Sequence, residues 1–336
     1  MLMPLLLLVA AAILFGFLCG FHDSSNIVAT MIASRAFSPR AALTIVTIGE
    51  VAGPFLFGVA VAKTIGNDVV AGESITLTVV VAALVGAIAW NILTWWLGIP
   101  SSSSHALIGG IIGAVAVDHG FGLIKLAGIE KVLIALFVSP ILGLAVGFFV
   151  QRLILHSLVA MHAGPGANKF FRAGQFFTAM SLALSHGAND SQKTMGMIAM
   201  GLVATGFQKE FSIPMWVVVV SSAAIGAGTA AGGWRLIKTL GFKLYKIWPI
   251  HAFTSQFSSA SVILAAAILG GPVSTTQVVS GVILGAGASE SARKVRWSLA
   301  LNIATTWVLT IPAAGLVAAG VYFVLKHLLP LPPVTP

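Results

Sequence analysis

Four ionisable side chains sit where so apolar a chain should carry none. Asp23, Glu50, Asp190 and Lys193 lie within or at the edge of long hydrophobic runs. An ionised group at mid-membrane costs about 2.5–3.5 kcal/mol even on the lenient insertion scale, so each is a candidate for function. Asp23 belongs to Gly20-Phe21-His22-Asp23-Ser24-Ser25-Asn26, and Asp190 to Gly187-Ala188-Asn189-Asp190-Ser191-Gln192-Lys193. The carboxylates of Asp23 and Asp190, the amide oxygens of Asn26 and Asn189 and the nearby hydroxyls suit a hard cation such as Na⁺, and a carboxylate alone can carry H⁺. Gly20 and Gly187 are expected to let the helix break there and offer backbone carbonyls as further ligands. Glu50 lies nearer the start of its run and reads equally well as a structural residue. Lys193 either counters Asp190 or a bound anion, or stands permanently in place of a cation.

A second set of residues suits the opposite charge. Pro100-Ser101-Ser102-Ser103-Ser104-His105 and Pro272-Val273-Ser274-Thr275-Thr276-Gln277 each open a short apolar run. A turn feeding a helix presents free backbone N–H groups and the positive end of the helix dipole. The hydroxyls of Ser102, Ser103, Ser104, Ser274, Thr275 and Thr276 add donors, so two such tips meeting at mid-membrane would cradle a tetrahedral oxyanion without an arginine. The plainer alternative is a pair of N-caps on full-length helices. His105 suits donation to the anion as well as to a backbone carbonyl. His22 suits proton shuttling beside Asp23, and His186 is as readily structural.

The elements that must position these groups follow from composition. Of 336 residues, 58% are hydrophobic and 8% charged, with a mean hydropathy of +1.01. Soluble domains carry about 25% charged residues, so a soluble enzyme, a disulfide scaffold and a disordered chain are excluded. The single cysteine, Cys19, leaves no disulfide framework. The net charge of +9 reads as loop charge rather than as a nucleic-acid surface, so the lipid bilayer is the expected partner and nucleic acid is not. Met1–Gly20 lacks a basic leader region and reads as a first span rather than a cleaved signal. Runs near 4–33, 41–62, 75–98, 131–151, 173–203, 212–233, 249–270 and 297–325 reach the about 20 residues needed to span. Runs near 101–116 and 272–288 are short and Pro-interrupted, which predicts re-entrant hairpins at a binding site. Most tryptophans flank the runs as an aromatic belt would. The glycine-rich stretch 226–233 lacks a nucleotide-loop ending and predicts close helix packing.

The chain also repeats itself. Asp190 follows Asp23 by 167 residues (190 − 23), Lys238-Thr239-Leu240-Gly241 follows Lys63-Thr64-Ile65-Gly66 by 175 (238 − 63), and Pro272–Ala286 follows Pro100–Ala114 by 172 (272 − 100). The expected organisation is a first repeat over 1–155, a cytoplasmic linker over 156–172, a second repeat over 173–328 and a tail over 329–336. Each repeat crosses three times if its hairpin is re-entrant and five times if it is not, both odd counts, so the halves enter from opposite sides. Loops 34–40, 152–172, 234–248 and 288–296 hold twelve basic residues against five on the other side. That bias predicts these loops to be cytoplasmic and both termini extracytoplasmic. Asp68, Glu73, Asp118, Glu130, Glu210 and Glu290 are expected in loops.

The string Ser185-His186-Gly187-Ala188-Asn189-Asp190-Ser191-Gln192-Lys193-Thr194-Met195-Gly196, its degenerate copy at Gly20–Asn26, and the paired segments Pro100–Gly109 and Pro272–Gly281 resemble the signatures of the inorganic phosphate transporter (PiT) family. The resemblance implies an all-α integral membrane protein of two inverted repeats, each with a re-entrant hairpin. It further implies a multi-pass cell-membrane symporter, often a homodimer, that couples phosphate entry to Na⁺ or H⁺ without a cofactor. By position, Asp23, Asn26, Asn189 and Asp190 would bind the cation, and the hydroxyls at 102–104 and 274–276, with Asp23, Asp190 and Lys193, the anion. Departures are His22 for an asparagine, Lys193 for an asparagine found in many members, Gln277 for a histidine, and Ser101 opposite Val273. A sulfate permease of the same fold is the nearest alternative. An anion channel would need a continuous polar pore, and an enzyme a nucleophile or metal-ligand set that the sequence lacks.

Overall fold

The structure, a computed structural model, describes residues 2–69, 76–162, 164 and 166–327. Glu73 and the expected 329–336 tail lie outside the described residues. The elements in chain order are α1 (Leu2–Ala33), α2 (Pro39–Phe57), α3 (Ala60–Lys63), α4 (Leu77–Leu97), α5 (Ser103–His119), α6 (Leu126–Ala160), α7 (Gly166–Ala204), α8 (Met215–Ala231), α9 (Trp234–Lys238), α10 (Pro249–Ile268), α11 (Thr275–Glu290) and α12 (Trp297–His327). Wider π-helical turns extend α3 over Thr64–Asp68 and α9 over Thr239–Lys243. No strand occurs among the described residues.

Local chemistry sets the boundaries. Ser38 caps α2 by accepting from the Ala41 N–H, with Pro39 at the first helical position, and Thr76 caps α4 through the Val79 N–H. Gly98 ends α4 in the left-handed region that a side chain disfavours, at φ 70°. Pro54, Pro140 and Pro312 lie inside α2, α6 and α12. Neighbouring helices accommodate such freed backbone groups in a membrane protein. Asp118, Glu130 and Glu290, expected in loops, sit on the ends of α5, α6 and α11. Helix also enters the expected linker from both sides, to Ala160 and from Gly166.

Among the described residues five helices are long and apolar enough to cross a membrane: α1 (from Met3), α2, α4, α6 and α12. A sixth would be the pair α8 and Trp234–Lys243, bent by 59°. The expected spans at 173–203 and 249–270 become α7 and α10, whose polar middle stretches are buried against protein. Every residue of α7 from Ser185 to Leu202 is buried, and α10 buries Thr254, Ser255, Gln256, Ser258 and Ser259. The exterior instead carries Leu6, Leu7, Phe55, Phe149 and Leu316, an apolar surface that only lipid or another apolar face accommodates.

Contacts exchange between the halves. α2 packs on α7 as α8 packs on α1, and α5 packs on α12 as α11 packs on α6. Thr64 Oγ1 donates to the Gly270 carbonyl at 2.8 Å, and its counterpart Thr239 donates to the Gly98 carbonyl at 3.1 Å. The glycines follow the same rule. A Cβ at Gly20 would overlap the Ile225 carbonyl, and one at Gly187 the Glu50 carbonyl. Likewise Gly53 meets Leu184, and Gly228 meets Phe17.

These contacts correct one expectation. α1 and α7 run unbroken through Gly20 and Gly187, so no unwound carbonyls become ligands there. The glycines are places where a neighbouring helix crosses at backbone distance. Gly20→Val and Gly187→Val should each destabilise the protein by at least about 1–3 kcal/mol through overpacking. Gly320→Val, which meets open space, should leave stability unchanged. Thermal unfolding of the purified protein in detergent checks all three.

Candidate functional site

The site lies where the mid-points of α1 and α7 meet the start of α5 and α11. The breaks at Gly98–Ser102 and Leu269–Ser274 turn α4 into α5 and α10 into α11. Ser102 caps α5 by accepting from the His105 N–H at 3.1 Å, and Ser274 caps α11 by accepting from the Gln277 N–H at 3.3 Å. Both tips are therefore N-capped by a serine. The two tips also touch: Ser104 Oγ donates to the Val273 carbonyl at 3.0 Å.

The remaining tip hydroxyls go to the carboxylates. Asp23 Oδ2 accepts from Ser103 Oγ at 2.8 Å, and Asp23 Oδ1 accepts from Thr276 Oγ1 at 2.6 Å. Thr275 Oγ1 donates to Asp190 Oδ2 at 3.0 Å. Asn26 Nδ2 donates to Thr276 Oγ1 at 3.1 Å, and Asn189 Nδ2 to the Gly271 carbonyl at 3.3 Å. Lys193 Nζ donates to Asp190 Oδ1 at 2.7 Å. All eleven residues singled out from the sequence therefore converge on one buried region.

Three carboxylates and one ammonium share that interior. His186, on α7 four residues before Asp190, lies with Nε2 3.4 Å from Asp190 Oδ2 and Nδ1 2.9 Å from Glu50 Oε1. Both approaches are off the line of a hydrogen bond. Glu50 also accepts a hydrogen bond from Thr229. Single ligand atoms of Asp23, His186 and Asp190 lie within 4.8 Å of one another. The amide oxygens Asn26 Oδ1 and Asn189 Oδ1 are buried without a protein donor, and such oxygens suit a hard cation.

Other groups escape a sequence reading. Thr229 lies in the glycine-rich stretch taken for packing, and only its counterpart, Pro54 at an offset of 175 (229 − 54), marks it as a departure between halves. Asn91 and Trp95 on α4 line a cavity of about 120 Å³ with His22, and His22 Nε2, both Asn91 amide atoms and Trp95 Nε1 have no protein partner. His22 Nδ1 is 3.4 Å from Asp23 Oδ1. His105 Nδ1 is 2.8 Å from Ser102 Oγ, and its Nε2 is 3.4 Å from Gln277 Nε2, so these two equivalent residues meet.

Comparison with known proteins places this geometry. The family model described as "Phosphate transporter family" matches residues 19–318. A "Probable low-affinity inorganic phosphate transporter" of Rhizobium meliloti (strain 1021) is 42% identical over 95% of this chain and 96% of its own length. One of the same description from Bacillus subtilis (strain 168) is 40% identical over 96% and 97%. A solved structure described as "The sodium-dependent phosphate transporter" shares the fold, with a TM-score of 0.86 over 97% of this chain and 100% of that one at 24% identity.

The Asp190–Lys193 pair supplies a test of the buried charges. Lys193→Met leaves Asp190 without its ammonium and should cost about 3–5 kcal/mol. Adding Asp190→Asn removes the stranded charge and should recover much of that loss. Thermal unfolding of the two single variants and the double variant measures the coupling.

Proposed function

Because the chain belongs to the phosphate transporter family, we propose that it carries inorganic phosphate across the cell membrane together with a cation, Na⁺ or H⁺, by alternating access. One observation carries this reading: tip hydroxyls from two helical hairpins are given to buried carboxylates, Ser103 and Thr276 to Asp23 and Thr275 to Asp190. A hydroxyl has one proton to donate. While Asp23 is bare, Ser103 and Thr276 spend theirs on it. A cation or proton that satisfies Asp23 frees both donors for an oxyanion between the tips. Each partner then favours loading of the other, as linkage requires.

The same proximity favours phosphate over sulfate. Phosphate near neutral pH retains a proton that can donate to a carboxylate, whereas sulfate has none and meets repulsion. The description of the relatives as inorganic phosphate transporters agrees with that choice. Na⁺ is supported by the unpartnered oxygens of Asn26 and Asn189 and by the name of the structural neighbour. H⁺ is supported by His22 beside Asp23. The exchange of contacts between halves supports two inverted repeats, with α4–α5 and α10–α11 as re-entrant hairpins. In this reading both termini are extracytoplasmic and the working unit is a homodimer.

Uptake of labelled phosphate into proteoliposomes, with excess unlabelled sulfate and with Na⁺ and pH gradients imposed separately, tests the assignment. Phosphate should accumulate despite sulfate, under one of the two gradients. Asp23→Asn, nearly isosteric, should lower driven uptake by at least about tenfold, the scale of one lost charge-assisted hydrogen bond. Entry of labelled sulfate in place of phosphate would overturn the substrate. Undiminished driven uptake by Asp23→Asn would overturn the role of the carboxylate.

A further inference from the structure

A concentration of positive charge lies away from the central site. A cavity of about 530 Å³ is bounded by the end of α1, the start of α7, the π-helical turn after α9, the segment leading to α10, and Arg296 before α12. Its lining includes Arg35, Arg172, Lys243, Lys246 and Arg296 and no carboxylate. Among the described residues none of the five forms an ion pair, and Lys246 Nζ lies 4.4 Å from the centre of the Trp248 ring. Glu290, the acidic residue closest in sequence to Arg296, is instead engaged by His251 at 2.6 Å and Lys294 at 3.1 Å. The bias of positive charge toward cytoplasmic loops accounts for the side on which these residues fall. It does not account for five cations from separate segments converging on one concavity.

Two further observations point to a ligand. Arg35 holds a left-handed backbone, at φ 57°, in the turn that ends α1. Glycine is favoured there, and a side chain costs energy, so the arginine is held at a cost to the backbone. Tyr245, in the lining, is 8% exposed, and its hydroxyl is buried with no protein partner. The walls are also tied together rather than loose. Ser34 Oγ donates to Gln175 Oε1 at 2.9 Å, Gln175 Nε2 donates to the Pro249 carbonyl at 3.4 Å, and the Arg296 N–H donates to the Leu244 carbonyl at 3.2 Å.

We propose that this cavity is a second anion site, distinct from the transport site, for a ligand bearing two or more phosphate groups. None of the eleven central residues lines it. Arg35 lies twelve residues beyond Asp23 along α1 (35 − 23), about 18 Å at 1.5 Å per residue. Three guanidinium groups can each grip phosphate oxygens in bidentate fashion, and the two ammonium groups add point charge. A single phosphate carries at most about two negative charges, so five cations match a ligand with several phosphates better than one. Such a ligand is either a soluble polyphosphorylated anion or a cluster of anionic lipid headgroups, whose phosphates are chemically alike.

Binding of labelled tripolyphosphate to the full chain in phosphatidylcholine nanodiscs tests the site. Wild type should bind saturably, and both Lys243→Gln/Arg296→Gln and Arg35→Gln/Arg172→Gln should weaken binding by at least about tenfold, equivalent to about 1.4 kcal/mol. Thermal unfolding of both variants should match wild type, because all five side chains are exposed. Asp23→Asn should bind tripolyphosphate as wild type does, which separates this site from the transport site whatever the uptake result. Repeating the titration in nanodiscs containing phosphatidylglycerol distinguishes the sources. Affinity weakened by the anionic lipid identifies headgroups as the occupant, and unchanged affinity identifies a soluble anion. Non-saturable binding by wild type, or wild-type affinity in both paired variants, overturns the proposal.

Discussion

Bare carboxylates inside a membrane protein must be solvated by the protein itself, and here the solvating groups are hydroxyls at the tips of two helix pairs. Asp23 takes Ser103 and Thr276, while Asp190 takes Thr275 and Lys193. Withdrawing these donors would strand charge in a low dielectric at several kcal/mol per ion. The position of each tip is therefore fixed by charge as much as by packing. Helix caps, left-handed glycines and crossing glycines all serve to bring those few atoms within about 3 Å of one another.

The internal repetition of the sequence is matched by the contacts exchanged between the halves, and its imperfections concentrate at the centre. Glycine crossings at 20 and 187, and at 53 and 228, keep equivalent contacts in both halves, because a backbone crossing tolerates nothing larger. The polar positions diverge instead. Asn26 faces Lys193 in the alignment of the halves, His22 faces Asn189, Glu50 faces Ile225, and His105 faces Gln277. The result is one acidic residue with a tethered ammonium and one without. Asp190 has its counter-charge built in, whereas Asp23 is solvated by neutral donors and a histidine. In the proposed cycle, exchangeable charge therefore belongs to Asp23.

Much of the site was legible in the sequence because it occurs twice: a carboxylate in an apolar run is ambiguous, but two at matching positions are not. The hydroxyl clusters were legible for the same reason. The unbroken course of α1 and α7 was not, since a glycine next to a polar residue permits both a helix break and a close crossing. The neighbouring carbonyls of Ile225 and Glu50 decide between them, and they come from distant sequence. Thr229, His186 and Asn91 acquire their significance only from what α2, α7 and α1 bring against them. α7 and α10 illustrate the converse. Hydropathy measures fitness for lipid, so a helix whose middle is enclosed by other helices looks too polar to span.

The bonds that cross between the halves bear on how the protein could move. Ser103–Asp23 and Thr275–Asp190 each join a tip to a helix of its own half. Thr276 bridges instead from the second half to Asp23 and Asn26 of the first, and Ser104 reaches from the first half to Val273 of the second. Rocking of one half against the other, as the proposed cycle requires, must exchange these cross-half bonds while sparing those within each half. Two of the three end on the Asp23–Asn26 motif, one of them on the carboxylate itself. In the proposed cycle the charge on Asp23 would therefore set both the number of donors free for an anion and the strength with which the halves are held together. An empty, ionised Asp23 locks Thr276 to it, and a compensated one releases it. In the proposed cycle the hydrogen bond that would couple cation to anion would also oppose movement of the half-loaded protein, which is what obligatory coupling demands of a symporter.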